Sequence, residues 1–357
     1  MSKQPVRPLG DDAAADLEWC HEAVQGVSRT FALTVDVLEE PMSSYICVGY
    51  LICRIADTVE DADHIPPAEQ ARLLRRYDAV LDPEDPTAVE DFLAEVDPYL
   101  PPAEERSPDW EVVADAARVV GTMEALPTDV REAVTPPARE LVDGMAMFVE
   151  RYAEAGGLRI QSQDELEEYC HYAAGTVGTL VTNLVTRGDV SSERTKKLYD
   201  TAEEFGLLLQ LVNIAKDVHD DKTAEDNVYL PAEWLDEEGV PQEEVLANEH
   251  SRGATAVVRR TADHARSFLD DAQRYLELVP TTDGNTLEAW GIPFLLAVGT
   301  LRELLASPED ALTDRGVKVS REEVFAVVVT MSSPGSESLA ELREILADRP
   351  YHTTVGE

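Results

Sequence analysis

Residues 50–61 read Tyr-Leu-Ile-Cys-Arg-Ile-Ala-Asp-Thr-Val-Glu-Asp, and residues 207–221 read Leu-Leu-Leu-Gln-Leu-Val-Asn-Ile-Ala-Lys-Asp-Val-His-Asp-Asp. Each is an apolar run that closes on two aspartates four residues apart, Asp57 and Asp61 in the first, Asp217 and Asp221 in the second. A spacing of four places side chains on one face of a helix, with Cβ atoms about 6 Å apart. A helix that is apolar nearly all round is buried on most sides. Buried carboxylates need a cation, a ligand or a hydrogen-bond network as partner. Two such faces opposed across a cavity would hold hard divalent cations through carboxylate oxygens, and those cations would hold a diphosphate.

Outward from these two stretches the periodicity stays helical, with no sustained apolar/polar alternation that argues for a sheet. The expected fold class is all-α, most simply a single domain over residues 1–357. Ser28-Arg-Thr-Phe31 reads as a turn entering a helix, a long helix is predicted from Pro41 to Asp61, and Pro66-Pro67 starts the next. Residues 82–86 and 99–108 are breaker-rich loops, and the short acidic segment between them reads as a surface excursion. Further helices are predicted over 138–155, ending at Gly156-Gly157, and over 164–185, 192–221, 254–278, 286–305, 322–331 and 337–347. In the 164–185 helix, Ala173, Ala174, Gly175 and Gly178 leave a flat face. That face serves either close helix packing or room for a ligand chain.

Composition limits what an acidic pair means. The 357 residues include 71 acidic and 30 basic ones, a formal charge of −41, with six lysines against 24 arginines. Hydrophobic residues make up 44%, enough for a large core, so disorder does not explain the acidity. A carboxylate-covered surface fits a salt-rich cytoplasm, and it repels nucleic acid and anionic membranes at low salt. With acids at about one position in five, roughly 14 acidic i,i+4 pairs arise by chance, and an arbitrary pair is solvated surface. The apolar context singles out these two.

Cys20, Cys47, Cys53 and Cys170 show no metal-ligand spacing and read as buried free thiols. The first residues have no apolar signal-peptide core, and no stretch reaches the roughly 20 apolar residues of a membrane span. The longest candidates, 290–301 and 324–331, read as core helices. A cytoplasmic protein is expected. No glycine-rich fingerprint follows a predicted strand, which argues against dinucleotide-binding βαβ units and P-loops.

Several blocks, in order over about residues 20–330, resemble the squalene/phytoene synthase family, on its squalene synthase side. Ser28-Arg29-Thr30-Phe31 resembles the family's early Ser-Arg-Ser-Phe turn. Residues 50–61 are similar to its first aspartate-rich motif, in the Asp-Thr-Val-Glu-Asp form typical of squalene synthases. Tyr169-Cys-His-Tyr-Ala-Ala-Gly-Thr-Val-Gly178 resembles its Tyr-Cys-x-Tyr-Val-Ala-Gly-x-Val-Gly block, and Gln210 through Asp221 its second aspartate-rich motif.

The resemblance implies an isoprenoid synthase helical bundle around a central cavity. It implies Mg²⁺-dependent head-to-head condensation of two farnesyl diphosphates to presqualene diphosphate, then reduction to squalene by NADPH. Asp57, Asp61, Asp217 and Asp221 would hold Mg²⁺ against the leaving diphosphate. Arg29, Arg54 and Lys216 would touch phosphate oxygens, or else form salt bridges within an acidic site. Tyr169 aligns with the tyrosine placed near the reacting carbons, with Tyr172 one turn on as fallback. Asn213 would orient metal, diphosphate or nicotinamide. Phe31, Tyr50, Gly175, Gln210 and Trp290 are expected to line the cavity. Glu60 and Asp220 either support the neighbouring aspartates or face solvent.

Departures from the pattern cluster late in the chain. In Arg315-Gly-Val-Lys-Val-Ser-Arg321, similar to a basic NADPH-binding block, Lys318 matches, Ser320 stands where a basic residue is usual, and Arg321 follows. Ala289 stands where an aromatic residue is expected, beside Trp290, and Asn227 where arginine is common. The C-terminus shows no membrane anchor, yet a hydrocarbon product leaves into a bilayer, so transient peripheral membrane contact is expected. The alternatives are a phytoene synthase condensing two geranylgeranyl diphosphates without reductant, release of presqualene diphosphate or dehydrosqualene, and a non-catalytic helical relative.

Overall fold

The computed structural model describes residues 11–333 and 338–351; among these there is no β-strand. The chain opens with α1 (Asp11–Val27) and α2 (Arg29–Val37), the latter started by the Ser28 hydroxyl, which accepts from the Phe31 amide. The first motif closes α3 (Met42–Glu60), as expected, and α4 (Pro67–Leu81) begins at its proline. α5 (Val89–Val96), α6 (Pro108–Ala114) and α7 (Ala116–Ala125) follow. The acidic segment expected as a surface excursion is therefore a helix, and Phe92 and Val96 of α5 are fully buried. Val89, Phe92, Leu93 and Val96 fall on one face, and α5 packs on α4 and α7.

α8 (Thr128–Arg151) starts ten residues earlier than predicted, with Pro136 and Pro137 inside it. Val130, Ala133 and Val134 are buried, and this packing holds the first two turns although two backbone N–H donors are missing. The predicted 164–185 helix is α9 (Gln163–Cys170), a π-helical turn (His171–Gly175) and α10 (Thr176–Val185). The predicted 192–221 helix is α11 (Ser192–Lys216) and α12 (Val218–Ala224), broken at Asp217. After α13 (Ala232–Glu237), the predicted 254–278 helix divides at 267–268 into α14 (Ser251–Arg266) and α15 (Leu269–Leu278).

α16 (Leu287–Ala306) is long and apolar enough by length and composition to cross a bilayer, contrary to the sequence reading. It is instead a central helix, packed on α2, α11 and α14, with 67% of its most apolar window buried. Arg302 near its end pairs with buried Glu323 of α17 (Arg321–Met331). α17 is not the core helix expected, since Phe325 is 70% and Val329 46% exposed. α18 (Leu339–Asp348) closes the described chain against α16. One contiguous buried cluster runs from Cys20 to Tyr351, and all four cysteines are buried free thiols.

Two glycines decide how α10 and α11 meet. A Cβ at Gly178 would overlap the Ala202 carbonyl, and one at Gly206 would overlap the Ala174 carbonyl. The flat face of Ala174, Gly175 and Gly178 thus serves close packing on α11, while Ala173 turns to the cleft described next.

Candidate active site

The ends of α3 and α11, with α12, meet across an open cleft of about 310 Å³, at the small end of the range that ligand sites occupy. Asp57 and Asp61 line one wall, Asp217 and Asp221 the other. The break at Asp217 does not disperse the second pair. The Asp217 amide still bonds the Asn213 carbonyl (3.0 Å) and the Asp221 amide the Asp217 carbonyl (2.9 Å), so the helical pitch survives the interruption.

The cleft also holds Glu60 and Glu225, giving six carboxylates in one space. Glu60 therefore belongs to the site, whereas Asp220 is exposed beside His219. Burial, reinforced by the neighbouring negative charges, pushes Glu225 up to about 7, Glu60 to about 8 and Asp221 to about 9, and holds Asp61 well above the usual carboxylate range. Carboxylates that resist ionising side by side are a donor set for hard divalent cations, and Mg²⁺ fits them through oxygen ligands.

The two cations described here are already engaged. Arg54 donates to Asp57 (3.0 Å) and to Asp109 (2.7 Å). Burial lowers the guanidinium pKa, but these carboxylates more than offset it and the net shift is upward. Lys216 pairs with its neighbour Asp217. Each line the cleft and would have to exchange a carboxylate for phosphate oxygen. Arg29 begins α2, but its side chain lies outside the described residues.

Tyr169, 4% exposed, faces the cleft from the end of α9. Its hydroxyl is 3.4 Å from Glu60 Oε1 and 3.2 Å from the hydroxyl of Tyr229, with the two rings 4.9 Å apart. Burial first, then Glu60 and Asp61, raise its pKa well above the phenol range. Tyr172 does not line the cleft; it leans on α8, where a Cβ at Gly144 would overlap its ring. Asn213 and Gln210 line the cleft.

The other four expected cavity residues do not. Phe31 and Tyr50 stack on each other at 3.8 Å, Gly175 packs against Glu203 and Leu207, and buried Trp290 donates to Asn285 (2.7 Å). Lys318 and Arg321 are exposed and outside the cleft. Ser320 caps α17, accepting from the Glu323 amide (3.2 Å), which accounts for a hydroxyl at a position expected to be basic. The preceding 3-10 turn, Pro308–Leu312, packs on α12.

The sequence reading missed Glu225 and Tyr229. Both continue the four-residue spacing of Asn213, Asp217 and Asp221, but past the end of α12, where helix periodicity no longer applies. Their placement comes from a short pairing of segments 158–160 and 227–232. There the Val228 amide bonds the Leu158 carbonyl (2.9 Å) and the Ala232 amide the Ile160 carbonyl (2.9 Å). Arg159, 4% exposed, locks the pairing through Asp226 and Glu243.

The squalene/phytoene synthase family model matches residues 24–323. The squalene synthase ERG9 of Candida albicans is 25% identical over 314 residues, covering 86% of this chain and 66% of that protein. The squalene synthase of Eremothecium gossypii is 27% identical over 308 residues, 84% and 65% respectively. The presqualene diphosphate synthase of Botryococcus braunii is 27% identical over 311 residues, 85% and 70%. The chain thus spans about two thirds of the length of these curated relatives. Among solved structures, a complex of TcSQS with a ligand superposes with a TM-score of 0.76 at 20% identity, covering 93% of this chain and 90% of that one. A dehydrosqualene synthase in complex with ligand gives 0.61 at 21% identity, covering 90% and 96%. Both likenesses show the shared all-α fold.

Proposed function

The chain belongs to the squalene/phytoene synthase family, and from that premise we propose that it is a prenyltransferase that joins two farnesyl diphosphates head to head to presqualene diphosphate and reduces that product to squalene. The observation that carries this reading is the convergence of both aspartate pairs and Tyr169 on one cleft. The family uses Mg²⁺ to bind prenyl diphosphates. Asp57, Asp61, Asp217 and Asp221 would hold the ions here, which when bound supply positive charge against the departing diphosphate.

The protein's own groups then have separable tasks. Arg54 and Lys216 release Asp57 and Asp217 to oxygen ligation and turn to phosphate. The Tyr169 ring, at the wall of the same cleft, would stabilise positive charge on an allylic carbon by its π face. Lys318 and Arg321 would hold NADPH by its phosphates, and the cofactor would supply hydride. A second reading, release of presqualene diphosphate without reduction, draws on one observation: Ser320 is spent on capping α17, leaving Lys318 and Arg321 as exposed cations outside the cleft.

Purified protein in molar KCl with Mg²⁺ and farnesyl diphosphate, with and without NADPH, tests both. Squalene formed only with NADPH supports the first reading. Presqualene diphosphate or dehydrosqualene under both conditions supports the second. Turnover of geranylgeranyl diphosphate alone, giving phytoene, overturns both.

A further inference from the structure

The second acidic wall does not end at Asp221. The Glu225 amide bonds the Asp221 carbonyl (3.2 Å), just as the Asp221 amide bonds that of Asp217 (2.9 Å). Asp217, Asp221 and Glu225 therefore stand one helical turn apart on one face. The chain then leaves the helix. Asp226 takes a left-handed φ of 55°, and the Asn227 amide returns to the same Asp221 carbonyl (3.0 Å). Arg159 holds this turn through the Asp226 carboxylate (3.0 Å).

The Glu225 side chain is fixed as well. Buried Asn227 accepts from the Leu158 amide through its side-chain oxygen (2.7 Å), which leaves its amide nitrogen to donate to Glu225 Oε2 (3.3 Å). A neutral amide orients a carboxylate without neutralising it. Asp57 and Asp217 form salt bridges with Arg54 and Lys216, whereas Glu225 forms none among the described residues. Beside burial, the charge of Glu225 acts on Glu60 and Asp61 of one wall and on Asp221 of the other, and Asp57 and Asp217 act on it. With Glu60 and Asp61 it lines both the cleft and an adjoining cavity of about 40 Å³, room for a water or an ion. A half-buried carboxylate that is oriented, flanked by like charges and given no cation by the protein is suited to a hard divalent cation.

We propose that Glu225 is a further metal ligand of this cleft, one helical turn beyond Asp221 and facing acids of both walls. The proposal rests on the reading above that the four aspartates hold Mg²⁺. The number of charged ligands sets the affinity of such a site for the free cation, so the role of Glu225 is measurable without substrate.

Mn²⁺ takes the same oxygen ligands and is paramagnetic, which makes it the probe. Its binding to the full chain is followed by the electron paramagnetic resonance of free Mn²⁺, in molar KCl at pH 7.5. Glu225→Gln keeps the shape of the side chain and, through its amide oxygen, the Asn227 hydrogen bond. It is expected to weaken Mn²⁺ binding about tenfold or more, a loss that even groups behind a metal ligand bring, with the helical circular dichroism unchanged. Asp220→Asn removes a charge at the exposed neighbour of Asp221, and in molar salt it should leave binding within about twofold. Unchanged Mn²⁺ binding in Glu225→Gln overturns the proposal. An equal loss in Asp220→Asn also overturns it, because the effect would then be one of net charge, and so does an unmodified protein that binds no Mn²⁺. With farnesyl diphosphate, the Mg²⁺ concentration for half-maximal turnover should rise in Glu225→Gln by the factor lost in Mn²⁺ affinity. If Glu225→Gln loses Mn²⁺ but the unmodified protein consumes no prenyl diphosphate, the ligand stands and the reading of function fails. Turnover of prenyl diphosphate with Mn²⁺ binding untouched by the substitution keeps that reading and removes Glu225 from the site.

Discussion

Asp221 illustrates how a functional residue is held against its own stability. Its carboxyl is pushed up to about 9 by burial and by Glu225 and Asp217, so in metal-free protein it keeps a proton that the unfolded chain releases near 3.8. An amide of the same shape carries no such cost. Asp221→Asn is therefore expected to raise the melting temperature in EDTA at pH 7.5 while lowering turnover about a thousandfold or more, the scale of losing charge stabilisation of a leaving group. Asp57→Asn and Asp217→Asn lose turnover similarly with the helical circular dichroism unchanged. Near-normal turnover in any of the three would remove that residue from the metal-binding set. The four aspartates were legible in the sequence because spacing and apolar context are local. Glu60 was ambiguous there, because adjacent acids leave a helix in different directions and only packing shows which one faces Tyr169.

Among the elements, α10 and α11 are the pair whose contact could be misread. Four small residues on one face suit either a packed helix or a bound chain, and sequence holds both open. The structure separates them by what a single carbon would hit. Gly178→Ala drives a Cβ into the Ala202 carbonyl, and overpacking of this kind costs about 1–3 kcal/mol. Gly121→Ala on α7 meets nothing within 4 Å and gains up to about 1 kcal/mol of helix propensity. Thermal melts of the two variants should move in opposite directions; a neutral Gly178→Ala would mean that the two helices do not touch as described. Helix existence was legible throughout the chain, whereas helix ends were less so. The breaks at Asp217 and at 267–268, the π-helical turn and the early start of α8 all depend on tertiary packing, which overrides local punctuation such as Pro136-Pro137.

At the scale of the whole molecule, a formal charge of −41 surrounds a cleft that gathers six carboxyl groups. Folded-state values of about 7 for Glu225, 8 for Glu60 and 9 for Asp221 all exceed their unfolded values of 4.5, 4.5 and 3.8. The folded state thus holds protons that the unfolded state has lost, and stability present below pH 4 declines as pH rises through 7 to 9. Divalent cations replace those protons. In molar KCl, the melting temperature in EDTA should fall from pH 5 to pH 9, and the gain on adding Mg²⁺ should grow over the same range. An equal gain at both ends would place the ions outside the cleft. What the sequence alone determined was the helical class, the family resemblance and the aspartate pairs, since each follows from spacing within one element or from ordered short motifs. What only the tertiary structure decided was which acids share a space, that Tyr169 rather than Tyr172 faces them, and that Glu225 and Tyr229 complete the site. The physical reason is that helix periodicity fixes neighbours four residues apart, while the opposition of two walls depends on packing and on the pairing of 158–160 with 227–232, contacts between residues far apart in the chain.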